Sequence, residues 1–173
     1  MSTSLYDLSV ASYLQIVAAA DAFLANGASH ISDEGGDLDA VVATRLYPDM
    51  ADFHFQVQCI GHHSLGAING VMQGEFSPPP NIERLDYAGL QALVSNAVTE
   101  LNALRPDDVN SHAGKTVTFK LGETQIPFTA ENFVMSFSLP NMYFHATTAY
   151  DILRAAGVPV GKRDFLGNMR MGA

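Results

Sequence analysis

The segment that decides the fold is VMSFSLPNMYFHATTAYDI, which occupies residues 134–152. Within it, residues 134, 137, 141, 145, 148 and 152 recur every three or four positions, which is the spacing of one face of an α-helix. The ends of that face are apolar, but its centre carries Asn141, His145 and Thr148. Pro140 lies inside the pattern and is expected to kink the helix. The segment therefore predicts a helix that turns a polar centre towards the protein interior.

Three further segments show the same spacing with a mainly apolar face. We expect a first long helix between Ser4 as its N-cap and Gly27 as its stop, a second that starts near Pro48, and a third that starts after Asp86. A brief helix capped by Asp37 falls between the first two. Four long helices with long connections predict a four-helix bundle. The apolar faces are formed by Tyr6, Val10, Tyr13, Val17, Ala20 and Leu24, by Met50, Phe53, Val57, Ile60, Ser64, Ala67 and Val71, and by Tyr87, Leu90, Val94, Ala97, Leu101 and Leu104.

The period changes just before the last helix. Residues 116–121 are rich in strand-forming types, Gly122 and Glu123 favour a turn, and residues 124–128 can return as a second strand. The predicted fold class is therefore all-α, a four-helix bundle with a small β-hairpin before the last helix. Because no repeat or linker divides the sequence, we expect residues 1–173 to form one domain.

The composition excludes several classes of protein. Nine basic and 18 acidic residues give a net charge of −9, so the chain lacks the basic face of a nucleic-acid binder. It is too apolar for a disordered protein, and its one cysteine cannot form an internal disulfide or a cysteine-rich zinc site. Only 16% of residues are charged, against about 25% in a typical protein. Such a shortage of charge on bundle helices predicts that their outer faces are buried, by a homodimer and by the hairpin.

The sequence shows no sign of membrane insertion or export. Its start has no basic region followed by an apolar one. The long uncharged run at residues 53–73 contains three histidines, three glutamines and an asparagine, which are costly in lipid. We therefore expect no membrane partner and a cytoplasmic location.

Candidate functional side chains lie on the second and fourth predicted helices. Asn141 and His145 are four residues apart and share a face, while His54, Gln58 and His62 repeat the same spacing on the second helix. One interpretation is a metal site of His54, His62 and His145, since neutral imidazole suits zinc, iron or nickel. The other is that His145 is a buried histidine bonded to a neighbour, with His54 and His62 at the surface.

Two other features of the second helix have simpler interpretations. His62 and His63 are adjacent and point about 100° apart on a helix, so one should face inward and the other outward. Cys59 is interpreted as a small buried hydrophobic residue. No nucleophile elbow or phosphate-binding loop is present in the sequence.

The C-terminal segment GVPVGKRDFLG, at residues 157–167, is distinctive. We interpret it as a clamp in which Lys162, Arg163 and Asp164 form ion pairs with the bundle while Phe165 and Leu166 fill an apolar groove. The alternative is that Lys162 and Arg163 close over an anion.

Five stretches carry a resemblance to a known group of proteins. They are SLYD at residues 4–7, RLYPDM at 45–50, QVQ at 56–58, LPNMYFHATTAYDILR at 139–154 and GKRDFLG at 161–167. With the helix order, they resemble an uncharacterised bacterial family of the DinB/YfiT-like superfamily. The resemblance implies a DinB-like bundle that is often dimeric.

The resemblance also implies a place for a metal site. Better-known relatives bind a divalent metal with one histidine on the second helix and two, spaced HxxxH, on the fourth. In this chain His145 matches the second of that pair, Asn141 stands at the first, and Gln56 or Gln58 stands at the second-helix position. Relatives with the full set include metal-dependent thiol transferases and hydrolases.

Three functional hypotheses follow, the third of which is a purely structural interaction module. In the first, the protein is a dimeric bundle whose degenerate metal site holds neither metal nor cofactor, and a polar pocket with His145, Asn141, Gln58, His54 and His62 binds a small molecule. In the second, it is a transferase or hydrolase that uses zinc, nickel or another divalent metal, bound by His145 with His54 or His62.

Overall fold

A computed structural model describes residues 3–171. Its long helices form the predicted bundle: α2 packs against α6 and α9, and α4 packs against the same two helices. The helices are α1 (Leu5–Leu8), α2 (Val10–Asp33), α3 (Leu38–Val42), α4 (Phe53–Gly61), α5 (Ala67–Gln73), α6 (Tyr87–Ala103), α7 (Pro106–Asn110), α8 (Ala130–Phe133), α9 (Leu139–Ala155) and α10 (Lys162–Leu166). The strands are β1 (Glu75–Phe76), β2 (Thr116–Leu121) and β3 (Thr124–Thr129).

Two π-helical turns interrupt the long helices that form the site. The first π turn, His62–Gly66, joins α4 to α5, and the second π turn, Val134–Ser138, joins α8 to α9. The disturbance that Pro140 was expected to cause therefore appears one turn earlier as the second π turn, and Pro140 itself lies in the first turn of α9. A π turn shifts the helical register of the side chains that follow it, and such turns are frequent at functional sites.

Several predicted helix ends are confirmed by capping contacts. Ser4 and Asp7 form a capping box at the start of α1, and the side chains of Asp37 and Asp86 accept backbone N–H bonds at the starts of α3 and α6. Thr129 caps α8 in the same way. These side chains satisfy backbone donors that have no partner within the helix.

Two predicted helix boundaries are wrong. The first long helix does not stop at Gly27 but continues to Asp33, because Gly27 serves close packing: a Cβ there would lie 2.5 Å from the hydroxyl oxygen of Tyr87. The second does not start at Pro48, because Asp52 accepts a hydrogen bond from the N–H of Phe55 and caps α4 at Phe53.

The predicted hairpin is confirmed and is larger than expected. Strands β2 and β3 pair antiparallel, with Val117 opposite Phe128. The sequence did not indicate β1, whose two residues follow the left-handed Gly74 and pair parallel with β2, so the sheet order is β1-β2-β3. The sheet packs against the second π turn through the rings of Phe76 and Phe119, which both contact the ring of Phe137.

The C-terminal segment is held against the bundle: the predicted apolar packing of Phe165 is confirmed, whereas the predicted ion pairs are wrong within residues 3–171. Gln15 of α2 donates a hydrogen bond to the carbonyl of Leu166 at 3.0 Å, and the ring of Phe165 packs edge-on against Tyr150. Asp164 does not pair with the bundle, because its carboxylate accepts the N–H of Gly161 and caps the short helix α10. Within residues 3–171, Lys162 and Arg163 form no salt bridge.

One stretch of the described chain, Leu5–Asp33, is long and apolar enough to cross a membrane by length and composition. Half of its most apolar window is buried inside the protein. Because α2 packs against α6 and α9, this apolar stretch is a core helix of the bundle, which agrees with a soluble protein.

Candidate metal centre

Cys59, His63 and His145 come together where α4 and the first π turn pack against α9. One ligand atom from each of the three lies within 4.8 Å of the other two. The imidazoles of His63 and His145 stack with their centres 5.6 Å apart and their planes 9° from parallel. The three residues are buried, with exposed fractions of 1%, 5% and 8%. We call this group the Cys–His cluster.

The two π turns are fastened to each other directly behind His63. The hydroxyl of Ser138 donates a hydrogen bond to the carbonyl oxygen of His63 at 2.6 Å. Because the only hydroxyl hydrogen of Ser138 is used there, the phenol of Tyr13 must be the donor in its 2.7 Å bond to Ser138. All three groups are buried, so the backbone position of His63 is fixed by α2 and the second π turn together.

The hydrogen bonds around His145 determine its protonation. The amide nitrogen of Gln56 donates to the carbonyl of Ala51 at 3.0 Å, which leaves its Oε1 as the acceptor that faces Nδ1 of His145 at 2.8 Å. Nδ1 of His145 therefore carries the hydrogen, and Nε2 has a free lone pair. A donated Nδ1 hydrogen is the usual arrangement behind a metal-binding histidine.

His63 shows the opposite situation. Its Nδ1 is buried without any hydrogen-bond partner, the one side-chain nitrogen or oxygen in that state among residues 3–171. A buried polar group without a partner is costly, and such a group needs an explanation such as an ion or a water. The unpartnered Nδ1 of His63 is therefore the main observation that favours an ion or a water bound at the Cys–His cluster.

Burial keeps both imidazoles neutral. It lowers the pKa of His63 to about 3, helped by the neighbouring His62 and His145, and lowers the pKa of His145 to about 4. Burial also raises the pKa of the Cys59 thiol to about 12. At neutral pH the cluster therefore offers two neutral imidazoles, the form that binds metals, and one protonated thiol.

The side of His145 that approaches the surface is framed by aromatic rings. Phe55 and Phe144 both meet its imidazole edge-on, at 5.8 Å and 5.2 Å between ring centres. Phe55 is 36% exposed and Phe144 is 56% exposed. An apolar rim thus surrounds the most accessible member of the cluster.

Of the five site residues proposed from the sequence, His145 alone belongs to the cluster. His54 accepts the N–H of Leu85 at its Nε2, and the amide of Asn141 donates to the carbonyl of Phe137. The side-chain nitrogens of Gln58 and His62 bond to the carbonyls of Pro80 and Ser77. Within the described residues, the set of His54, His62 and His145 is therefore not brought together.

The sequence interpretation missed the other two members of the cluster. The prediction that Cys59 is buried is confirmed, but Cys59 was treated as packing alone. His63 is the inward-facing member of its pair, with His62 half-buried. The spacing of four residues between Cys59 and His63 matches that between Asn141 and His145, and this was the available signal.

The fold and the site together define a DinB-like helical bundle with a buried cysteine and histidine group. Residues 5–166 match the model of a domain of unknown function, DUF1993, and the chain belongs to that family. It is also similar to a crystal structure of a DinB family member protein from Shewanella denitrificans, with 26% identity and a TM-score of 0.79 over 98% of this chain and 95% of that one. No curated protein matches the chain.

Proposed function

We propose that this DUF1993 protein binds a divalent transition-metal ion with the Sγ of Cys59 and ring nitrogens of His63 and His145. The single observation that carries the proposal is the buried, unpartnered Nδ1 of His63, because a bound ion would satisfy it. The free lone pair on Nε2 of His145 is a second support.

The chemistry of the three side chains favours zinc or nickel. Metal binding would release the proton of the Cys59 thiol to solvent, and the resulting thiolate and imidazole ligands suit these borderline ions, whereas magnesium and calcium prefer oxygen. Three protein ligands are the number found in catalytic zinc sites, which keep a fourth position open, while structural sites use four. The distances of up to 4.8 Å between ligand atoms require a small inward movement to reach zinc-ligand lengths of about 2.0–2.3 Å.

This arrangement supports a metal-dependent transferase or hydrolase as the activity. A bound divalent ion would supply Lewis-acid chemistry there. Gln56 would hold the His145 ring in place, and the rims of Phe55 and Phe144 would limit water near it. In this proposal two ligands, Cys59 and His63, belong to the second long helix and its π turn, and one, His145, belongs to the fourth. The relatives with the HxxxH pattern have the reverse distribution, one ligand on the second helix and two on the fourth.

Metal content of the purified chain tests the proposal. After chelation, reloading with zinc and removal of the excess, we expect about one zinc ion per chain by elemental analysis. Cys59→Ser, His63→Ala and His145→Ala should each lose bound zinc, while His112→Ala, outside the cluster, should retain it. Thermal unfolding of each variant shows whether it is folded. If the wild type binds no zinc, or if His145→Ala changes neither metal content nor thermal stability, the proposal is wrong.

We infer separately that two copies of the chain associate. Many large apolar side chains are at least one-third exposed, including those of Tyr47, Met135, Tyr143 and Phe144. Their number, together with the shortage of charged residues, supports a homodimer that covers part of this surface.

A further inference from the structure

A groove between α4 and α6 lies apart from the Cys–His cluster. It has a volume of about 210 Å³ and none of the three cluster residues lines it. Its walls are mostly apolar, formed by Leu65, Ile82, Leu93 and Ala97, and its polar side chains are Gln58, His62 and Asn96. An apolar lining with a few polar groups is typical of small-molecule sites, and because such sites usually measure at least about 300 Å³, this groove suits a small ligand.

Two hydrogen bonds hold one wall of the groove in place. Nε2 of Gln58 donates to the carbonyl of Pro80 at 2.7 Å, and Nε2 of His62 lies 2.9 Å from the carbonyl of Ser77. They pin the proline-rich segment at residues 77–80 to α4 and the first π turn. The wall of the groove is therefore in place without a ligand, which lowers the entropic cost of ordering residues 77–80 on binding.

The same two bonds determine whether the polar side chains of the groove can still donate or accept hydrogen bonds. Because a carbonyl only accepts, Nε2 of His62 must carry its hydrogen, and Nδ1 is left as an acceptor. Gly66, whose added Cβ would lie 3.4 Å from that Nδ1, lines a neighbouring cavity and not this groove, so the acceptor that matters here is on Gln58. Gln58 has its N–H directed at Pro80, so its Oε1 is also left to accept.

The Oε1 of Gln58 is both free and accessible. It has no hydrogen-bond partner within residues 3–171, yet it is not among the atoms sealed from solvent. Gln58 is only 7% exposed, and it lines the groove. A hydrogen-bond donor on a ligand would therefore find a free acceptor on this wall.

We propose that this groove binds a small, mainly apolar molecule that carries one hydrogen-bond donor, a hydroxyl or an N–H, which the Oε1 of Gln58 accepts. The proposal does not rest on metal binding, because no member of the Cys–His cluster lines the groove, although the ring of His62 in its lining packs edge-on against the ring of His63 at 5.1 Å. The apolar side chains hold the body of the ligand, and Gln58 fixes its polar end.

Phenol and toluene are the matched probes, since they differ by a hydroxyl and a methyl group of similar size. Binding of each to the full chain, with and without zinc, is measured by two-dimensional NMR titration. We expect both to shift groove resonances in either metal state. Gln58→Leu should move the ratio of phenol to toluene affinity towards toluene by about three- to tenfold, the contribution of one ordinary hydrogen bond.

A second pair of variants keeps the test valid if Gln58→Leu fails to fold. Asn96 and Thr99 are both exposed on α6, but Asn96 alone lines the groove. Asn96→Trp should abolish binding of both probes and Thr99→Trp should not. The proposal is overturned if neither probe binds, if the affinity ratio is the same in wild type and Gln58→Leu, if the two tryptophan variants behave alike, or if Asn96→Trp instead breaks a dimer that covers the groove.

Discussion

The neutral state of His63 and His145 is the residue-level property on which the site depends. Both rings are buried, and neither faces a carboxylate through a hydrogen bond or salt bridge within the described chain. A positive charge on either ring would be unpaired, and if both rings were protonated the two charges would repel each other across 5.6 Å. The two imidazoles therefore resist protonation, which keeps them ready to bind a metal.

This property predicts a loss of stability in mild acid. The folded-state pKa values, about 3 for His63 and about 4 for His145, lie below the ordinary value of 6.5, so the unfolded chain binds more protons below pH 6.5. Stability is complete above pH 6.5 and falls as the pH drops towards 4. At pH 5 we expect a loss on the order of 1–2 kcal/mol per histidine in metal-free protein.

Urea unfolding in the presence of a chelator, at pH 7 and at pH 5, measures this loss. At pH 5 the carboxylates remain mostly ionised, so the difference comes mainly from histidines: His63 and His145 have the largest shifts, and burial also lowers the pKa values of His54 and His62, which add to the loss. His112→Gln serves as the control and should lose as much stability as the wild type. An unchanged free energy of unfolding between the two pH values would show that the rings are not held neutral.

At the scale of elements, helical spacing was enough to find the bundle but not the details that position the site. The caps at Ser4, Asp37 and Asp86 could be predicted because short polar side chains at helix starts bond to backbone N–H groups a few residues away. Gly27 was misread because its reason is tertiary, the close approach of Tyr87. The strand β1 could not be predicted, because two paired residues are too few to show an alternating strand pattern.

The π turns explain why the site was only partly predictable. His145 was identified because it interrupts an apolar face with a polar side chain. The choice between His62 and His63 depends on the register that the first π turn imposes, and its hydrogen bond to Ser138 joins residues 75 apart in sequence. No local pattern contains that contact.

Gly70 offers a test of the contact between α5 and β1. A Cβ at this position would lie 2.9 Å from the carbonyl oxygen of Glu75 and 3.0 Å from the ring of Phe76. Because a backbone atom cannot move aside cheaply, Gly70→Ala should lower the free energy of unfolding by about 1–3 kcal/mol. Gly66→Ala is the matched control, since its nearest neighbour would be 3.4 Å away, and chemical denaturation of both variants measures the difference. Equal stability of the two variants would contradict this packing.

At the scale of the whole molecule, the shortage of charge is only partly explained by the monomer. The bundle buries the inner helix faces, yet Phe144 is 56% exposed and Met135 is 54% exposed. The short sheet packs beside the second π turn and leaves these side chains uncovered. The proposed self-association would bury them.

Light scattering coupled to size exclusion tests self-association. We expect a mass about twice the 18.6 kDa of one chain at micromolar concentration. Phe144→Lys, which places a charge on the exposed apolar surface, should lower the dimer fraction, whereas Thr147→Lys, at an exposed position on α9, is the control. A wild-type protein that remains monomeric would contradict the homodimer.

The central claim is that Cys59, His63 and His145 hold one metal ion together, and the absorption spectrum of the cobalt-loaded protein tests it most directly. A thiolate ligand gives a charge-transfer band in the near ultraviolet, and a four-coordinate site gives strong visible bands. We expect the charge-transfer band and the strong visible bands in the wild type, with the charge-transfer band lost in Cys59→Ser and retained in His112→Ala. Weak visible bands like those of cobalt in water, unchanged by Cys59→Ser, would contradict it.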